Sequence, residues 1–176
     1  MTERPHPLVG IVMGSDSDLP VMSGAIQVLE DFGLPYEVQI LSAHRCPDET
    51  ASYARESAAK GLKVLIAGAG WAAHLAGALA AQSTLPVIGI PIDSSPLQGL
   101  DALLSTAQMP PGVPVATMSI GKGGAQNAAL FAVQILALLD PNLARKLENH
   151  KQDMKRDVLL HKNNKLQEHL SERKTS

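Results

Sequence analysis

Two residues with complementary chemistry, His44 and Arg45, are adjacent in the sequence, after an apolar run and just before Pro47. Histidine is the side chain best suited to take up and release a proton near neutral pH. Arginine forms strong, charge-assisted hydrogen bonds to phosphate and carboxylate groups. Nine of the fifteen Lys and Arg residues lie beyond residue 139, so a cation earlier in the chain is informative. The pair therefore predicts proton transfer next to an anion-binding group, and a surface histidine without function is the alternative.

The segment Gly14-Ser15-Asp16-Ser17-Asp18 follows another apolar run and leads into a predicted helix. Free backbone N–H groups at a helix start, together with the two serine hydroxyls, would bind a phosphate or another anion. The two aspartates do not favour simple anion binding, and they suit the hydroxyl groups of a ribose instead. The alternative is a purely structural role, in which Ser17 or Asp18 caps the helix and Pro20 occupies its first turn.

A glycine-containing segment, Gly68-Ala69-Gly70-Trp71-Ala72-Ala73, matches the G-x-G-x-x-A pattern of dinucleotide-binding loops, and Asp93 ends the next predicted strand. A nicotinamide or flavin binder is therefore the main competing hypothesis. Three features weaken this hypothesis. The motif lies in the third strand–helix unit and not in the first, His74 would crowd the turn that holds a pyrophosphate, and no second domain is present for a substrate.

Residue types and spacing disfavour both metal-dependent and covalent chemistry. His44 and His74 could share a metal at neighbouring strand ends, but a catalytic zinc site usually has three protein ligands, and the third would have to be an aspartate. The single cysteine, Cys46, excludes an internal disulfide framework, and nothing in the sequence marks it as a nucleophile. The segment Gly14-Ser15-Asp16 does not supply the G-x-S-x-G elbow of serine hydrolases. We therefore expect no metal site.

The elements that must position these residues alternate between strand and helix patterns. Apolar runs predict strands at 8–13, 36–41, 64–67, 87–90 and 113–120. Helical spacing and end signals predict helices ending at Gly33 and near Gly61, and further helices at 72–81, 96–108 and 125–139. Five such units predict an α/β fold, a three-layer flavodoxin-like or Rossmann-like parallel sheet with a C-terminal helical extension.

In an open parallel sheet, ligands bind beyond the carboxyl ends of the strands. Polar and glycine residues follow each of the five predicted strands, at 14–18, 42–45, 68–74, 93–95 and 121–124. We therefore expect all five segments to form one polar rim of the domain, with the ligand site on it.

Length and composition fit one catalytic domain, residues 1–139, followed by a charged helical extension, residues 140–176. Hydrophobic residues make up 45% of the chain, which provides a sizeable core and excludes general disorder. The formal charge of −2 does not favour a nucleic-acid partner. Gly, Gln and Pro residues interrupt the uncharged stretch between Lys63 and Asp93, so we expect no membrane span. Because the N-terminal residues show no export signal, we expect a cytoplasmic protein.

The predicted helix at 125–139 is apolar around nearly its whole circumference, since Gln126, Asn127 and Gln134 are its only polar residues. A small monomer has too little interior to bury such a helix. We therefore expect a homo-oligomer in which this helix contacts another subunit. The extension would pack on its own domain or on a neighbouring subunit.

Five segments occur in the same order as in the PurE family, which the chain closely resembles between about Leu8 and Leu139. They are Gly14-Ser15-Asp16-Ser17-Asp18, Ser42-Ala43-His44-Arg45-Cys46-Pro47, Ala67-Gly68-Ala69-Gly70-Trp71-Ala72-Ala73-His74-Leu75, Gln108-Met109-Pro110 and Ile120-Gly121-Lys122. Arg45 and the Ala-Ala-His segment are similar to the class I branch, the N5-carboxyaminoimidazole ribonucleotide (N5-CAIR) mutases. The class II branch, aminoimidazole ribonucleotide carboxylases that use free CO2, is the alternative within the family.

This resemblance implies an isomerase of de novo purine biosynthesis that moves a carboxylate from N5 to ring carbon C4. It implies no metal or organic cofactor, a homo-octamer, and His44 as general acid and base with CO2 trapped in the site. It also implies seven residues that bind the ribonucleotide substrate: Ser15, Asp18 and Arg45 at the ribonucleotide and its phosphate, and Ser42, Gly70, His74 and Leu75 around the base and carboxylate.

Two positions differ from the pattern of the PurE family, which usually has Gly at the position of Trp71 and Pro at the position of Ala76. Trp71 is the only tryptophan, and it lies in the segment expected to form the CO2 pocket. We expect its side chain to point outward and to pack at a subunit contact. The alternative is that the indole narrows the pocket and alters activity.

Overall fold

A sheet of five parallel strands forms the centre of the computed structural model, which describes residues 6–173. The strand order is β2-β1-β3-β4-β5, and every neighbouring pair is parallel. The strands are β1 (Val9–Met13), β2 (Tyr36–Ile40), β3 (Val64–Ala69), β4 (Val87–Pro91) and β5 (Ala116–Thr117). This is the flavodoxin-like order, with its topological switch point between β1 and β3. The predicted α/β parallel sheet is confirmed.

Helices cover both faces of this sheet. They are α1 (Leu19–Phe32), α2 (Pro47–Ser57), α3 (Leu75–Ala80), α4 (Leu100–Ala107) and α5 (Lys122–Ala137), followed by α6 (Pro141–Arg156) and α7 (Asn163–Glu172). Gly24 of α1 lies against α5, and Gly68 of β3 lies against Met22 of α1. On the other face, Gly89 of β4 lies against Ala76 of α3 and Thr106 of α4. The glycines allow this close packing because a Cβ at any of them would meet the facing side chain.

The core consists mainly of aliphatic side chains and alanine, since aromatic residues make up only 3% of the chain. Strands β1 and β4 are buried along their whole length, and β3 is buried up to its last residue. Fully buried side chains include Ile11, Leu65, Ile66, Ile88 and Ile90. Continuous apolar strands of this kind are typical of a parallel sheet with helices on both faces. A rigid centre of this kind holds the loops at the carboxyl ends of the strands.

Two helices begin later than the sequence predicts because residues with positive φ precede them. The third helix begins at Leu75 and not at 72, since φ is 54° at Trp71 and 38° at Ala73. The fourth helix begins at Leu100 and not at 96, since φ is 51° at Gln98 and 85° at its N-cap, Gly99. An α-helix requires negative φ at each residue, so neither segment can extend the helix that follows it.

The fifth strand is also shorter than predicted. It contains only Ala116 and Thr117, which pair with Ile88 and Gly89 of β4, whereas the apolar run predicts a strand over 113–120. β5 is an edge strand, and Pro114 just before it has no N–H to donate to a sheet. The apolar run therefore overstates the length of the strand.

Helix α5 packs against the sheet through small residues on one side. Gly124, Ala125, Ala128, Ala129, Ala132 and Val133 are buried, and the carbonyl of Ser119 fills the space that a Cβ of Gly124 would need. Leu130, Phe131 and Ile135 are half-buried, and the three polar residues of the helix are exposed. The predicted contact of this helix with another subunit stays a prediction.

Contacts divide the described residues into two compact units with a boundary between Ile135 and Leu136. In the second unit, Asp140 caps α6 through hydrogen bonds from the N–H groups of Asn142 and Leu143, and Pro141 occupies the first turn. A π-helical segment, Asp157–Lys162, joins α6 to α7. The packing of the extension, residues 140–176, stays a prediction. Over residues 6–173, no helix is both long and apolar enough to cross a membrane.

Candidate active site

One cavity of about 650 Å³ opens at the carboxyl ends of the strands, around the switch point between β1 and β3. All eight residues that the sequence predicts for the site contribute to its wall: Ser15, Asp18, Ser42, His44, Arg45, Gly70, His74 and Leu75. The other lining residues are Gly14, Ser17, Ala43, Ala69, Trp71, Ala72, Ala73 and Ser94. Four separate loops thus meet at one site, as the rule for open parallel sheets predicts.

The backbone N–H groups of the loop after β1 form hydrogen bonds within the protein. The N–H of Gly14 donates to the carbonyl of Gly68 at 3.3 Å, and the N–H of Ser15 donates to the Asp18 carboxylate at 3.0 Å. The N–H of Ser17 donates to the hydroxyl of Ser15 at 3.3 Å, which completes a capping box. The prediction that this loop offers free N–H groups to an anion is therefore wrong at these three residues. Its two hydroxyls also donate within the loop, Ser15 to the Asp16 carboxylate at 3.0 Å and Ser17 to the Ser15 hydroxyl at 2.9 Å, and a ligand can engage them by rotation of the hydroxyl groups.

Asp18 is the buried acid of the site, with 5% of its surface exposed. Burial raises the pKa of its carboxyl, since a charged form is costly away from water. Backbone hydrogen bonds from Ser15 and Gly14 and the positive charge of Arg45 oppose that rise in pKa. Its carboxylate anchors the loop and faces the cavity, which suits a hydroxyl donor of a ligand.

The loop after β2 holds Arg45 in a fixed position. One guanidinium nitrogen, Nη2, donates to the carbonyl of Gly14 at 2.8 Å, and Nε donates to the hydroxyl of Ser42 at 3.3 Å. Both acceptors are uncharged, and none of the ion pairs between described residues includes Arg45. The positive charge of Arg45 is therefore available to an anionic ligand.

Cys46 has a structural position in the same loop. The N–H of Ser42 donates to its sulfur at 3.1 Å, and the thiol donates to the carbonyl of Ser42 at 3.3 Å. Helix α2 begins at the next residue, Pro47. Since Cys46 is absent from the lining of the main cavity, its contacts explain its presence without a role as a nucleophile.

His44 and His74 contact each other across 30 residues of sequence. Nε2 of His44 lies 2.8 Å from Nδ1 of His74, and the rings meet edge to face with centroids 4.9 Å apart. The two facing nitrogens share one proton, so one ring donates and the other accepts. His44 is exposed to the cavity and not enclosed in aliphatic packing. An accessible imidazole in a fixed orientation can exchange a proton with a bound ligand.

The loop after β3 does not have the form of a dinucleotide-binding turn. Helix α3 begins only after the G-x-G-x-x-A segment and is six residues long. Both glycines serve packing within the protein, because a Cβ at Gly68 would overlap Met22 and a Cβ at Gly70 would overlap the hydroxyl of Ser94. These contacts give no support to the nicotinamide or flavin hypothesis.

The loop after β5 is not part of the cavity, so the prediction that all five loops form one site is wrong for this one. The Lys122 side chain lies near Gly24 of α1, and a Cβ at Gly121 would be 3.9 Å from the Asp93 carboxylate. Neither residue lines the cavity. β5 is the edge strand, two strands away from β3, which explains the distance from the switch point. Ser94 belongs to the predicted rim segment 93–95, for which the sequence indicates no specific role, and it lines the cavity three residues after the end of β4. Over residues 6–173, no cluster of three or more His, Cys, Asp or Glu side chains could hold a metal ion.

The chain is similar to known proteins of one family. Residues 8–157 match the family model described as AIR carboxylase. The chain is 57% identical over 150 residues to the N5-carboxyaminoimidazole ribonucleotide mutase of Pyrococcus abyssi, which covers 85% of each chain. It is 55% identical to the protein of the same name from Bacillus subtilis, over 88% of this chain and 95% of that one. The crystal structure of Treponema denticola PurE is similar with a TM-score of 0.74 and 30% identity, covering 88% of this chain and 99% of that one.

Proposed function

The chain belongs to the AIR carboxylase family, which includes PurE, and we propose that its His44 moves a proton while a carboxylate changes place on one ribonucleotide. The activity is that of N5-CAIR mutase, an isomerase of purine biosynthesis. The observation that carries the proposal is the accessible imidazole of His44, hydrogen-bonded to His74 in the wall of the cavity.

One histidine is sufficient for the proton balance of this reaction. His44 donates a proton to N5 of the carbamate, the bond from N5 to the carboxyl carbon breaks, and CO2 is released within the cavity. Ring carbon C4 then attacks the CO2 and forms the new carbon–carbon bond. His44 finally removes the proton from C4, which restores the ring and returns the histidine to its starting state. The carboxylate moves, and no proton is gained or lost overall.

His74 orients the imidazole of His44 during these steps. A protonated His44 donates its Nε2–H to a neutral His74, whereas two protonated rings would place two donors opposite each other at 2.8 Å. His74 acts here as a positioning residue that also lines the base pocket.

The other cavity residues divide into two groups by chemistry. Arg45, Ser15 and Ser42 present a cation and hydroxyls, which suit the ribonucleotide phosphate, and the buried carboxyl of Asp18 suits a ribose hydroxyl. Alanines, Gly70 and Leu75 form an apolar wall next to the two histidines. Close apolar walls keep water away and keep CO2 near C4.

Conversion of N5-CAIR without ATP and without added bicarbonate tests the reaction. We expect wild-type protein to form the C4-carboxylated product, CAIR, under these conditions. Strict dependence on bicarbonate would instead favour the class II reaction, which carboxylates aminoimidazole ribonucleotide with free CO2.

His44→Asn tests the proton carrier. We expect a folded protein with turnover lowered by at least 100-fold, since a positioned general acid–base group contributes about 10²–10⁴-fold. His6→Asn is the control, because His6 is exposed and does not line the cavity. Activity of His44→Asn within about tenfold of wild type, which is roughly 1.4 kcal/mol of barrier, would exclude the assigned role.

The proposal extends to assembly and location. We propose a cytoplasmic homo-octamer, in which the half-buried side of α5 contacts a neighbouring subunit. Leu130 and Phe131 are apolar side chains on this helix that its own unit covers only in part, which supports such a contact.

A further inference from the structure

The loop from Gly70 to His74 forms one wall of the cavity and is held by contacts along its length. The N–H of Ala73 donates to the carbonyl of Gly70 at 3.0 Å, which closes a tight turn. The hydroxyl of Ser105 in α4 bonds to the carbonyl of Ala72. The backbone of this loop is therefore fixed where the loop forms the wall of the cavity.

Trp71 occupies that middle position at an unfavourable backbone angle. Its φ is 54°, in the left-handed region that L residues rarely adopt and that glycine adopts freely. Burial does not compensate for this angle, because 60% of the tryptophan is exposed. Residues with a strained backbone are concentrated at active sites and ligand sites, where the strained conformation places a group for its function. Trp71 is one of the residues that line the cavity, which is the site of such a contact.

We propose that the indole of Trp71 stacks on the heterocycle of the bound ribonucleotide and retains the CO2 released there. This inference rests on the proposed mutase function and assigns a specificity role to a residue with none so far. Trp71 is three residues before His74, which contacts His44, so the indole belongs to the end of the cavity where the ring reacts.

The chemistry of the cavity favours the heterocycle over the phosphate as the partner of the indole. Arg45 is bound to the loops after β1 and β2, so the cation lies on those loops and Trp71 on the loop after β3. A flat, uncharged aromatic surface attracts a planar base by stacking, which is worth about a tenfold or larger gain in affinity per base. A stacked indole also excludes water from the ring and blocks a path by which CO2 could escape.

Fluorescence of the sole tryptophan gives the first test. We expect CAIR to change the intensity or wavelength of Trp71 emission on binding to the full-length protein. Ribose 5-phosphate, which has no heterocycle, should occupy the phosphate end and leave emission nearly unchanged. Unchanged emission at a CAIR concentration that saturates the enzyme would overturn the inference. An equal change with ribose 5-phosphate would also overturn it.

The fate of the carboxylate gives the second test. With N5-CAIR as substrate, we expect Trp71→Gly to release at least tenfold more aminoimidazole ribonucleotide per CAIR formed, after subtraction of the uncatalysed loss of CO2. Trp71→Phe, which keeps an aromatic ring, should release less than Trp71→Gly. Equal release by wild type and both variants would overturn the inference.

Two results separate this inference from its premises. If wild-type protein does not convert N5-CAIR, the proposed function fails. If it converts N5-CAIR but Trp71 affects neither emission nor the release of aminoimidazole ribonucleotide, only the present inference fails. A Trp71→Gly variant whose oligomer has a different mass, but which releases no more aminoimidazole ribonucleotide than wild type, would assign Trp71 to a subunit contact. That result would also overturn the inference. Trp71→Gly should fold, because glycine accepts the φ of 54° without strain.

Discussion

The guanidinium of Arg45 is held in position and forms no ion pair with a described residue, a combination that suits recognition of an anion. Its hydrogen bonds to Gly14 and Ser42 fix the side chain between two loops before any ligand binds. A preorganised cation loses little entropy on binding, so more of the interaction energy appears as affinity. At the residue scale, the site therefore combines a proton carrier, His44, with a separate group for binding.

Arg45→Ala tests this division of roles. Loss of hydrogen bonds to a charged group costs about 1.5–3 kcal/mol, so we expect KM to rise by roughly 10- to 100-fold. The value of kcat should change less, since Arg45 does not exchange protons in the reaction. Arg45→Lys keeps the charge without the planar fork and should give an intermediate KM. An unchanged KM in Arg45→Ala would show that Arg45 does not bind the phosphate of the ribonucleotide.

At the scale of elements, the loop between β3 and α3 depends on a close approach to the loop after β4. No room exists for a side chain at Gly70, since the carbonyl of Ile92 and the hydroxyl of Ser94 occupy that space. This approach sets the position of Trp71 and of His74 on the same loop. Precise placement of a side chain on a loop thus comes from packing between neighbouring loops.

Gly70→Ala should therefore displace the loop. We expect a loss of stability of about 1–3 kcal/mol, typical of overpacking, together with a fall in turnover of more than tenfold. Gly123→Ala in α5 is the matched control, because no atom lies within 4 Å of its added Cβ. Denaturation curves and turnover of both variants provide the measurement. Wild-type turnover of Gly70→Ala would show that the site tolerates movement of this loop.

For the whole molecule, helix α5 is one of the elements with apolar surface that is only partly covered. Its buried side consists of small residues that bring it close to the sheet, and the larger Leu130 and Phe131 are only half-buried. Apolar surface of this kind is typical of contacts between subunits. In the proposed octamer, Leu130 and Phe131 of this helix therefore contact a neighbouring subunit.

Sedimentation of the full-length protein checks the assembly. We expect a mass of about 149 kDa, eight times the 18.6 kDa of one chain. Phe131→Glu should shift the mass to smaller species, because a carboxylate would be buried in an apolar contact. Phe131→Leu, which keeps an apolar side chain at the same position, should leave the mass unchanged. A wild-type monomer, or the full mass in Phe131→Glu, would contradict the proposal.

Much of the fold follows from local patterns in the sequence. Apolar runs locate the strands, and helical spacing locates α1, α2 and α5, because these signals depend on neighbouring residues alone. The lengths of α3, α4 and β5 were not accessible in this way. They depend on positive φ angles at Trp71 and Gln98, which are residue types that usually continue a helix, and on the edge position of β5.

The order of residues along the chain shows which side chains follow each strand. Because a parallel sheet brings the carboxyl ends of its strands to one edge, His44, Arg45 and Asp18 could be assigned to one site. Only the tertiary structure decides which loops reach that site, because the order of strands in space differs from their order in the chain. The separation of Lys122 from the cavity follows from that order, and the contact between His44 and His74 joins the loops after β2 and β3, the two strands that flank β1. The sequence also predicts, as the alternative for the loop at 14–18, a cap at Ser17 or Asp18, whereas the structure places the cap at Ser15, because Ser15 has the extended backbone of an N-cap and Asp18 does not.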